Sequence, residues 1–268
     1  MRPPPNPGRR NRNIGTVKQG HGQDNRMVVP QLSRAQASLT AMLAPSRIEW
    51  RGVAGRDLCF IVEETSGGCV HACTVADLVA LLRHIPASDW AGLDTFVLRQ
   101  STRKSRQLQP AWGRLYYDAQ LAFRDGSPGR RGPALFLEAV EPDASFSWST
   151  ALGPDDADEL ERLREDGHRI ARVGRRHVIT TTPEAVRATQ LYRTLPHEVG
   201  HWFDWLEKVE APAARGEDFN LLADRYFARP GREREAFAHS YADRLRRGLE
   251  ADGLIPFDRI ACPPSPRT

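Results

Sequence analysis

The alternation of hydrophobic and polar positions divides this chain into strand-like and helix-like stretches. Short runs rich in β-branched and aromatic residues predict strands at 48–50, 58–63, 95–100, 114–118 and 134–140. Apolar residues at helical spacing predict helices at 35–45, 74–84, 155–167 and 230–247, with a further helical approach from residue 182 onward. Segment 211–229 is predicted to be a loop or a short helix. Together these elements predict an α+β fold.

Particular residues indicate where some of these helices begin. Thr74 is suited to the N-cap of the 74–84 helix, with Asp77 completing a capping box. Pro183 is suited to the first turn of the helix that leads onward from residue 182. Pro196 is predicted to interrupt that helix, because it lacks an N–H and its ring clashes with the carbonyl of Tyr192. A kink or a restart is therefore expected just before residue 197.

One stretch carries a chemical pattern, His197-Glu198-Val199-Gly200-His201. On a helix, His197 and His201 lie one turn apart on the same face, so their imidazoles can share a tetrahedral metal ion, usually zinc. Glu198 is then placed to take a proton from a metal-activated water. Large apolar residues surround the motif, as expected for a helix packed in a core. A surface helix that held two histidines by chance would be more polar.

A third ligand must come from elsewhere, and the predicted 230–247 helix offers Glu235 and His239. These two residues stand one turn apart and project from the same face. Glu235 is the favoured ligand, with His239 as a neighbour of the ligands or as a substitute ligand. The alternative is that Glu233 and Glu235 only favour a helix N-terminus through its dipole, which leaves His239 unexplained.

The motif, followed by Glu235 about 35 residues later, resembles the gluzincin branch of zinc metallopeptidases, and locally the catalytic domains of anthrax lethal factor and related peptidases. There a His-Glu-x-Gly-His-x-x-Asp helix precedes a Glu-x-Phe-Ala-Glu helix, and here the stretches end in Asp204 and His239. The resemblance implies general base Glu198, supporting roles for Asp204 and His239, and a Zn²⁺ ion held by His197, His201 and Glu235. His239 stands where the family has a carboxylate.

The resemblance also implies a zincin-like fold, with a mixed sheet over the motif helix and an edge strand that holds an extended peptide through main-chain hydrogen bonds. Segments 134–140 and 177–182 are both candidates for that edge. A tyrosine donates to an oxyanion in this family, but structural packing is the favoured interpretation of Tyr226. Asp204 either orients a ligand histidine or is an ordinary surface carboxylate.

Charge and composition divide the chain into a leader, a domain and a tail. Residues 1–34 hold seven basic residues and one acidic residue, about +6, so the remainder carries 4 − 6 = −2. We expect a disordered basic leader over 1–45, a zincin-like catalytic domain over 46–258 and an unstructured tail over 259–268. The absence of aromatic residues among the leader's arginines argues against a nucleic-acid partner. The sequence lacks an apolar run long enough to span a membrane and a signal-peptide core.

The remaining cysteines and histidines give weaker signals. Cys59, Cys69, Cys73 and Cys262 are predicted to be free thiols, which indicates a cytoplasmic location and leaves leaderless export open. Cys69 and Cys73 flank His71, but one Cys-x₃-Cys without a second pair is a weak metal signal. His168 and His177 are predicted to lie on the surface, and the aromatic residues Trp112, Tyr116 and Tyr117 in the core or on a face of the sheet.

These observations predict a zinc metallopeptidase that acts on a peptide or protein substrate and has no membrane partner. The alternative is a non-catalytic binding or regulatory module, with a structural zinc ion or none, whose basic N-terminal arm contacts a partner. Glu198 favours the enzyme, because a structural metal site does not need that carboxylate. The identity of the substrate and the oligomeric state are not encoded in any of these patterns.

Overall fold

The larger sheet of the protein is mixed. The computed structural model describes residues 37–100, 102 and 111–261. The strands of this sheet are β1 (Ser38–Leu43), β2 (Ser46–Val53), β3 (Arg56–Glu63), β4 (Thr95–Arg99), β5 (Gly113–Phe123) and β6 (Arg130–Glu138). They follow the order β1-β5-β6-β4-β3-β2, in which β2–β3 and β5–β6 are antiparallel and the other neighbours are parallel.

A smaller antiparallel sheet and a series of helices complete the described part of the chain. The small sheet has the order β7-β9-β8 and consists of β7 (Ser145–Ser149), β8 (Arg169–Val173) and β9 (Arg176–Thr180). The helices are α1 (Val75–Leu82), α2 (Pro154–Glu165), α3 (Pro183–Ala188), α4 (Leu195–Trp205), α5 (Ala211–Ala214), α6 (Phe219–Ala228) and α7 (Gly231–Ala251). Among the described residues, none of these helices is both long and apolar enough to cross a membrane. The sheets and helices together agree with the predicted α+β class.

The core places α4 against one face of the large sheet. Phe96 and Leu135 from the strands share a buried cluster with Val199 from α4 and with side chains of α1. The strand residues that point the other way, such as Ile61 and Phe136, form a second buried cluster. The helix with the His-Glu-x-x-His motif is therefore an interior helix, as its apolar surroundings predicted.

Several predicted elements are confirmed with their end signals. The side chain of Thr74 accepts a hydrogen bond from the Asp77 N–H at 3.0 Å, and Asp77 in turn accepts from the Thr74 N–H at 2.9 Å. This reciprocal pair is the predicted capping box at the start of α1. Pro183 lies in the first turn of α3, and α7 begins at Gly231 as expected.

The helix predicted at 35–45 is wrong, because Ser38–Leu43 is strand β1. It pairs in parallel with β5 and contributes Leu43 to the second core cluster. Ala, Leu and Met favour a helix locally, but pairing with a strand about 80 residues later overrides that preference. The predicted boundary of the leader at residue 45 is corrected as well, since β1 belongs to the sheet.

The start of the predicted unstructured tail is also packed against the domain. Ile260 donates its N–H to Asp77 at 2.9 Å, and its carbonyl accepts from the Thr74 hydroxyl at 2.8 Å. Ile260 therefore contacts the first turn of α1. Residues 1–36 and 262–268, on which the rest of the leader and tail predictions fall, lie outside the described residues.

Pro196 does not break the helix that contains it. The chain continues as a π-helical segment, Thr189–Thr194, between α3 and α4, in which the Leu195 N–H donates to the Gln190 carbonyl. A π turn bonds the carbonyl of residue i to the N–H of residue i+5, one residue further along than in an α-helix. The turn just before the proline therefore contains an extra residue, and its carbonyls bond to different N–H groups than in an α-helix. An irregularity is therefore present just before residue 197, as predicted, but it is a π turn and the helix does not restart.

Candidate metal centre

The histidines of the motif lie on α4 where α7 packs against it. His197 is 2% exposed and His201 is 7% exposed. Their rings are one turn apart, with centroids separated by 4.6 Å. Gly200 lies between them, and a Cβ added there would be 3.2 Å from Ala238 Cα of α7. The missing side chain allows the two helices to come together at the site.

Glu235 is the residue of α7 that meets both histidines. Its Oε2 lies 3.3 Å from His197 Nε2, and its Oε1 lies 3.5 Å from His201 Nε2. Donor atoms of these three side chains all lie within 4.8 Å of one another, and they are the group with metal-ligand geometry among the described residues. The sequence prediction that Glu235 joins His197 and His201 agrees with this arrangement.

These residues fit a metal ion by two criteria. Ligand atoms about 2.0–2.1 Å from a tetrahedral ion are separated from each other by roughly 3.3 Å, which matches the two nitrogen–oxygen distances. Both ring nitrogens of His197 are buried; Nδ1 has no hydrogen-bond partner among the described residues, and the 3.3 Å contact of Nε2 with Glu235 is not a well-aligned hydrogen bond. Buried polar atoms are normally paired, so an orphaned imidazole that faces a carboxylate and a second imidazole is suited to a cation.

Protonation states at the site also suit a cation. Burial lowers the pKa of His197 to about 3, so this ring is neutral near pH 7. Burial acts to raise the pKa of Glu235, but the two histidines outweigh it and lower the pKa to about 2. Burial acts to lower the pKa of His201, yet the hydrogen bond and charge of Glu235 raise it above the ordinary value. Metal binding would compete with the His201 proton.

Glu198 lies next to this group but faces the sheet. It is 1% exposed, and its Oε2 accepts a hydrogen bond from the Leu115 N–H of β5 at 2.8 Å. Its Oε1 is buried without a hydrogen-bond partner in the described part of the chain. Burial raises the pKa of this carboxyl to about 7. One oxygen of Glu198 is thus held by a strand, and the other has no partner among the described residues.

The Leu115 amide is a contact that sequence reasoning missed. A backbone N–H has no side-chain signature, so only the packing of β5 on α4 could reveal it. Gly113, two residues earlier, allows this packing, since a Cβ there would lie 2.7 Å from the Phe136 carbonyl oxygen and 2.8 Å from Thr194. The run Trp112-Gly113 before a predicted strand was the one available signal.

His239 lies beside the ligands without joining them. Its ring centroid is 4.4 Å from that of His197, with the planes inclined at 53°. It does not belong to the group with metal-ligand geometry, which contains Glu235 instead. His239 was predicted either to stand next to the ligands or to replace Glu235 as a ligand. Its position fits the first of these roles and not the second.

Asp204 has a different role from either one predicted. It is fully buried, so the interpretation as a surface carboxylate is wrong. Arg229 donates to its Oδ2 at 2.7 Å, and Lys208 pairs with its Oδ1. These partners engage both oxygens, and neither imidazole of the motif bonds to Asp204 among the described contacts. Asp204 therefore ties α4 to the residue that follows α6.

Tyr226 packs in the core as expected. It is 2% exposed, and its hydroxyl lies 3.3 Å from that of Tyr117 and 3.4 Å from the His201 carbonyl. Trp112 and Tyr116 are buried, with exposures of 4% and 9%, and Tyr117 is partly buried against the core, which agrees with the prediction for these aromatic residues.

The cysteines and the other histidines do not extend the site. Cys59, Cys69 and Cys73 are free and buried, as predicted, and Cys262 lies outside the described residues. His71 Nε2 lies 2.8 Å from the Glu63 carbonyl, and its neighbouring cysteines form no ligand group with it in the described chain. His168 is 3% exposed, so its predicted surface position is wrong.

Neither segment predicted as an edge strand lies at an edge. Residues 134–138 belong to β6, between β5 and β4, and residues 177–180 belong to β9, between β7 and β8. Both predictions are wrong, because the pattern within one strand does not indicate which neighbours it will have. The strand that borders the site is β5.

Comparisons of the chain with protein-family profiles, with curated proteins and with solved structures give no match.

Proposed function

We propose that the protein is a zinc-dependent metallopeptidase with a zincin-like domain, which hydrolyses peptide bonds in a peptide or protein substrate. The observation that carries the proposal is the convergence of His197, His201 and Glu235, with the carboxylate of Glu198 buried beside them. The three converging residues would hold the ion. Zinc, when bound, supplies a Lewis acid that polarises a carbonyl and lowers the pKa of water.

Glu198 supplies the proton chemistry in this proposal. The Leu115 N–H fixes Oε2, so the orientation of the carboxylate is set before a substrate arrives. Oε1 then takes a proton from the attacking water and later gives it to the leaving amine. A site with a purely structural ion would have no use for a carboxylate held in this way.

Substitution of Glu198 by Gln tests the proposal. In the zinc-loaded protein, we expect Glu198→Gln to lower the turnover of an unfolded protein substrate by 10²-fold or more, with the bound zinc retained. Glu207→Gln is the matched control, because Glu207 is exposed and lies in the π-helical segment Leu206–Glu210 that directly follows α4.

Two results would contradict the proposal. If folded wild type binds zinc but cleaves neither an unfolded protein nor a peptide library, the protein is a non-catalytic zinc-containing module. If it binds no zinc even when zinc is supplied, it is a metal-free binding or regulatory module.

A further inference from the structure

A buried network of charged side chains joins the helical segments that carry the candidate metal ligands. Asp166, in the turn after α2, is its centre, and its side chain is fully buried. Arg193 Nε donates to Asp166 Oδ2 at 2.9 Å, and Arg246 Nη1 donates to Asp166 Oδ1 at 3.1 Å. A single carboxylate therefore accepts hydrogen bonds from both arginines.

The two arginines stand on different sides of the metal centre in the chain. Arg193 lies in the π-helical segment, about one turn before His197. Arg246 lies on α7, about three turns after Glu235. Asp166 therefore connects the start of the histidine helix with the helix that brings the third ligand.

Further contacts fix the orientation of this carboxylate. Arg193 Nη1 donates to both oxygens of Glu159 of α2, each at 2.7 Å. The Thr189 hydroxyl donates to Asp166 Oδ2 at 2.8 Å and lies 2.9 Å from His168 Nε2. Because the only hydrogen of this hydroxyl goes to Asp166, His168 must donate through Nε2. The donor and acceptor of each of these hydrogen bonds are thus defined. The side chains come from α2 and the turn after it, from the π-helical segment and from α7.

We infer that Asp166 is a positioning residue, which sets the placement of α7 relative to α4 and so brings Glu235 to the two histidines. The inference rests on the proposed metal centre. Close contact at Gly200 fixes how near the helices are, but it does not fix how far one slides along the other. Buried ion pairs add little net stability compared with apolar packing, whereas a ligand set must be held within about 0.5 Å.

The test uses Arg246→Met. Replacement of Asp166 itself would leave two arginines short of a charge partner and could prevent folding. Arg246 has a side chain that is 23% exposed, and without it Asp166 keeps Arg193 and Thr189. The variant therefore cuts the link to α7 and leaves the rest of the network in place.

Two control variants isolate that link. Arg247→Met removes the neighbouring arginine, whose Nε bonds to the Asp243 carbonyl of its own helix. Glu250→Gln changes the other partner of Arg246, at 2.8 Å, without touching Asp166.

The measurements are Zn²⁺ affinity, by competition with a chromophoric chelator, and the visible absorption of the Co²⁺-loaded protein, which reports ligand geometry. We expect Arg246→Met to weaken Zn²⁺ binding by 10- to 100-fold and to change the Co²⁺ spectrum. Both control variants should match wild type.

The outcomes separate the two proposals. Wild type that binds neither ion refutes the metal centre and this inference with it. If wild type binds both ions and Arg246→Met keeps the wild-type affinity and spectrum, the positioning role alone is refuted. A variant with a lower free energy of unfolding but an unchanged Co²⁺ spectrum also refutes it, because the network would then only stabilise the fold.

Discussion

Gly200 stands between the two histidines, and the site depends on its missing side chain. A Cβ added there would lie 3.1 Å from the side chain of Tyr241 and 3.2 Å from the Ala238 Cα. The second contact is with backbone, so rotation of a side chain cannot relieve it. A larger residue would push α7, and with it Glu235, away from α4.

We therefore expect Gly200→Ala to lower Zn²⁺ affinity by about tenfold and the free energy of unfolding by about 1–3 kcal/mol. The matched control is Gly248→Ala on α7, where a Cβ meets nothing within 4 Å. That change should raise the free energy of unfolding by about 0.4–1 kcal/mol and leave Zn²⁺ affinity as in wild type. Chelator competition and urea unfolding measure the two quantities. Wild-type values for Gly200→Ala would show that the close approach is not required.

The free energy of unfolding depends on pH through His168, which is not one of the candidate metal ligands. It is 3% exposed, and burial lowers its pKa to about 4, aided by Arg193 and opposed by Asp166 and Glu159. The unfolded chain takes up this proton below about pH 6.5, whereas the folded protein does so only near pH 4. The contribution of neutral His168 to stability is therefore present at pH 7 and is lost as the pH falls from about 6.5 to 4.

We expect the metal-free wild type to lose more stability than His168→Gln between pH 7 and pH 4.5, by a difference of order 1–2 kcal/mol. Glutamine can still donate to Thr189 but does not titrate. Urea unfolding at the two pH values gives the four free energies, and groups common to both proteins cancel in the difference. Equal losses in the two proteins would mean that His168 is not held neutral by the fold.

At the level of elements, the sequence was most informative where a pattern is local. The capping box of α1, the amphipathic α2 and the start of α7 each depend on residues a few positions apart. β1 and the position of β6 inside the sheet depend on pairing between distant strands, which hydrophobic alternation does not specify. The sequence predicts only a kink or a restart before residue 197. That the irregularity is a π turn depends on how the segments before and within α4 pack, which the local sequence does not specify.

The same distinction applies to the candidate site. His197, Glu198 and His201 could be identified because one helical turn places them together, and Glu235 because it stood on a second predicted helix. The Leu115 amide could not, since a main-chain donor is invisible in sequence. The salt bridge of Asp204 was missed for a related reason, because Arg229 is brought to it by the path of α5 and α6.

At the scale of the whole molecule, the metal centre would add a link between α4 and α7, which already pack against each other at Gly200 and which the chain joins through α5 and α6. His197 and His201 belong to α4, which packs against the sheet, and Glu235 belongs to α7. An ion that binds the folded chain and not the unfolded one stabilises the fold by RT ln(1 + [L]/Kd), about 4 kcal/mol when zinc is at 1,000 times its Kd. For a domain of this size that corresponds to a rise in Tm of about 10 °C.

We expect a chelator to lower the Tm of the purified protein and added Zn²⁺ to restore it, as measured by differential scanning fluorimetry. Glu235→Ala should abolish most of the shift, because it removes the ligand that α7 contributes. Glu233→Ala is the control on the same helix, since the Glu233 side chain is 52% exposed and lies 3.9 Å from Arg229. It should keep the full shift. A shift that persists in Glu235→Ala would place the ion elsewhere, and a wild type that does not respond to zinc would mean that the fold brings these three residues together without a metal.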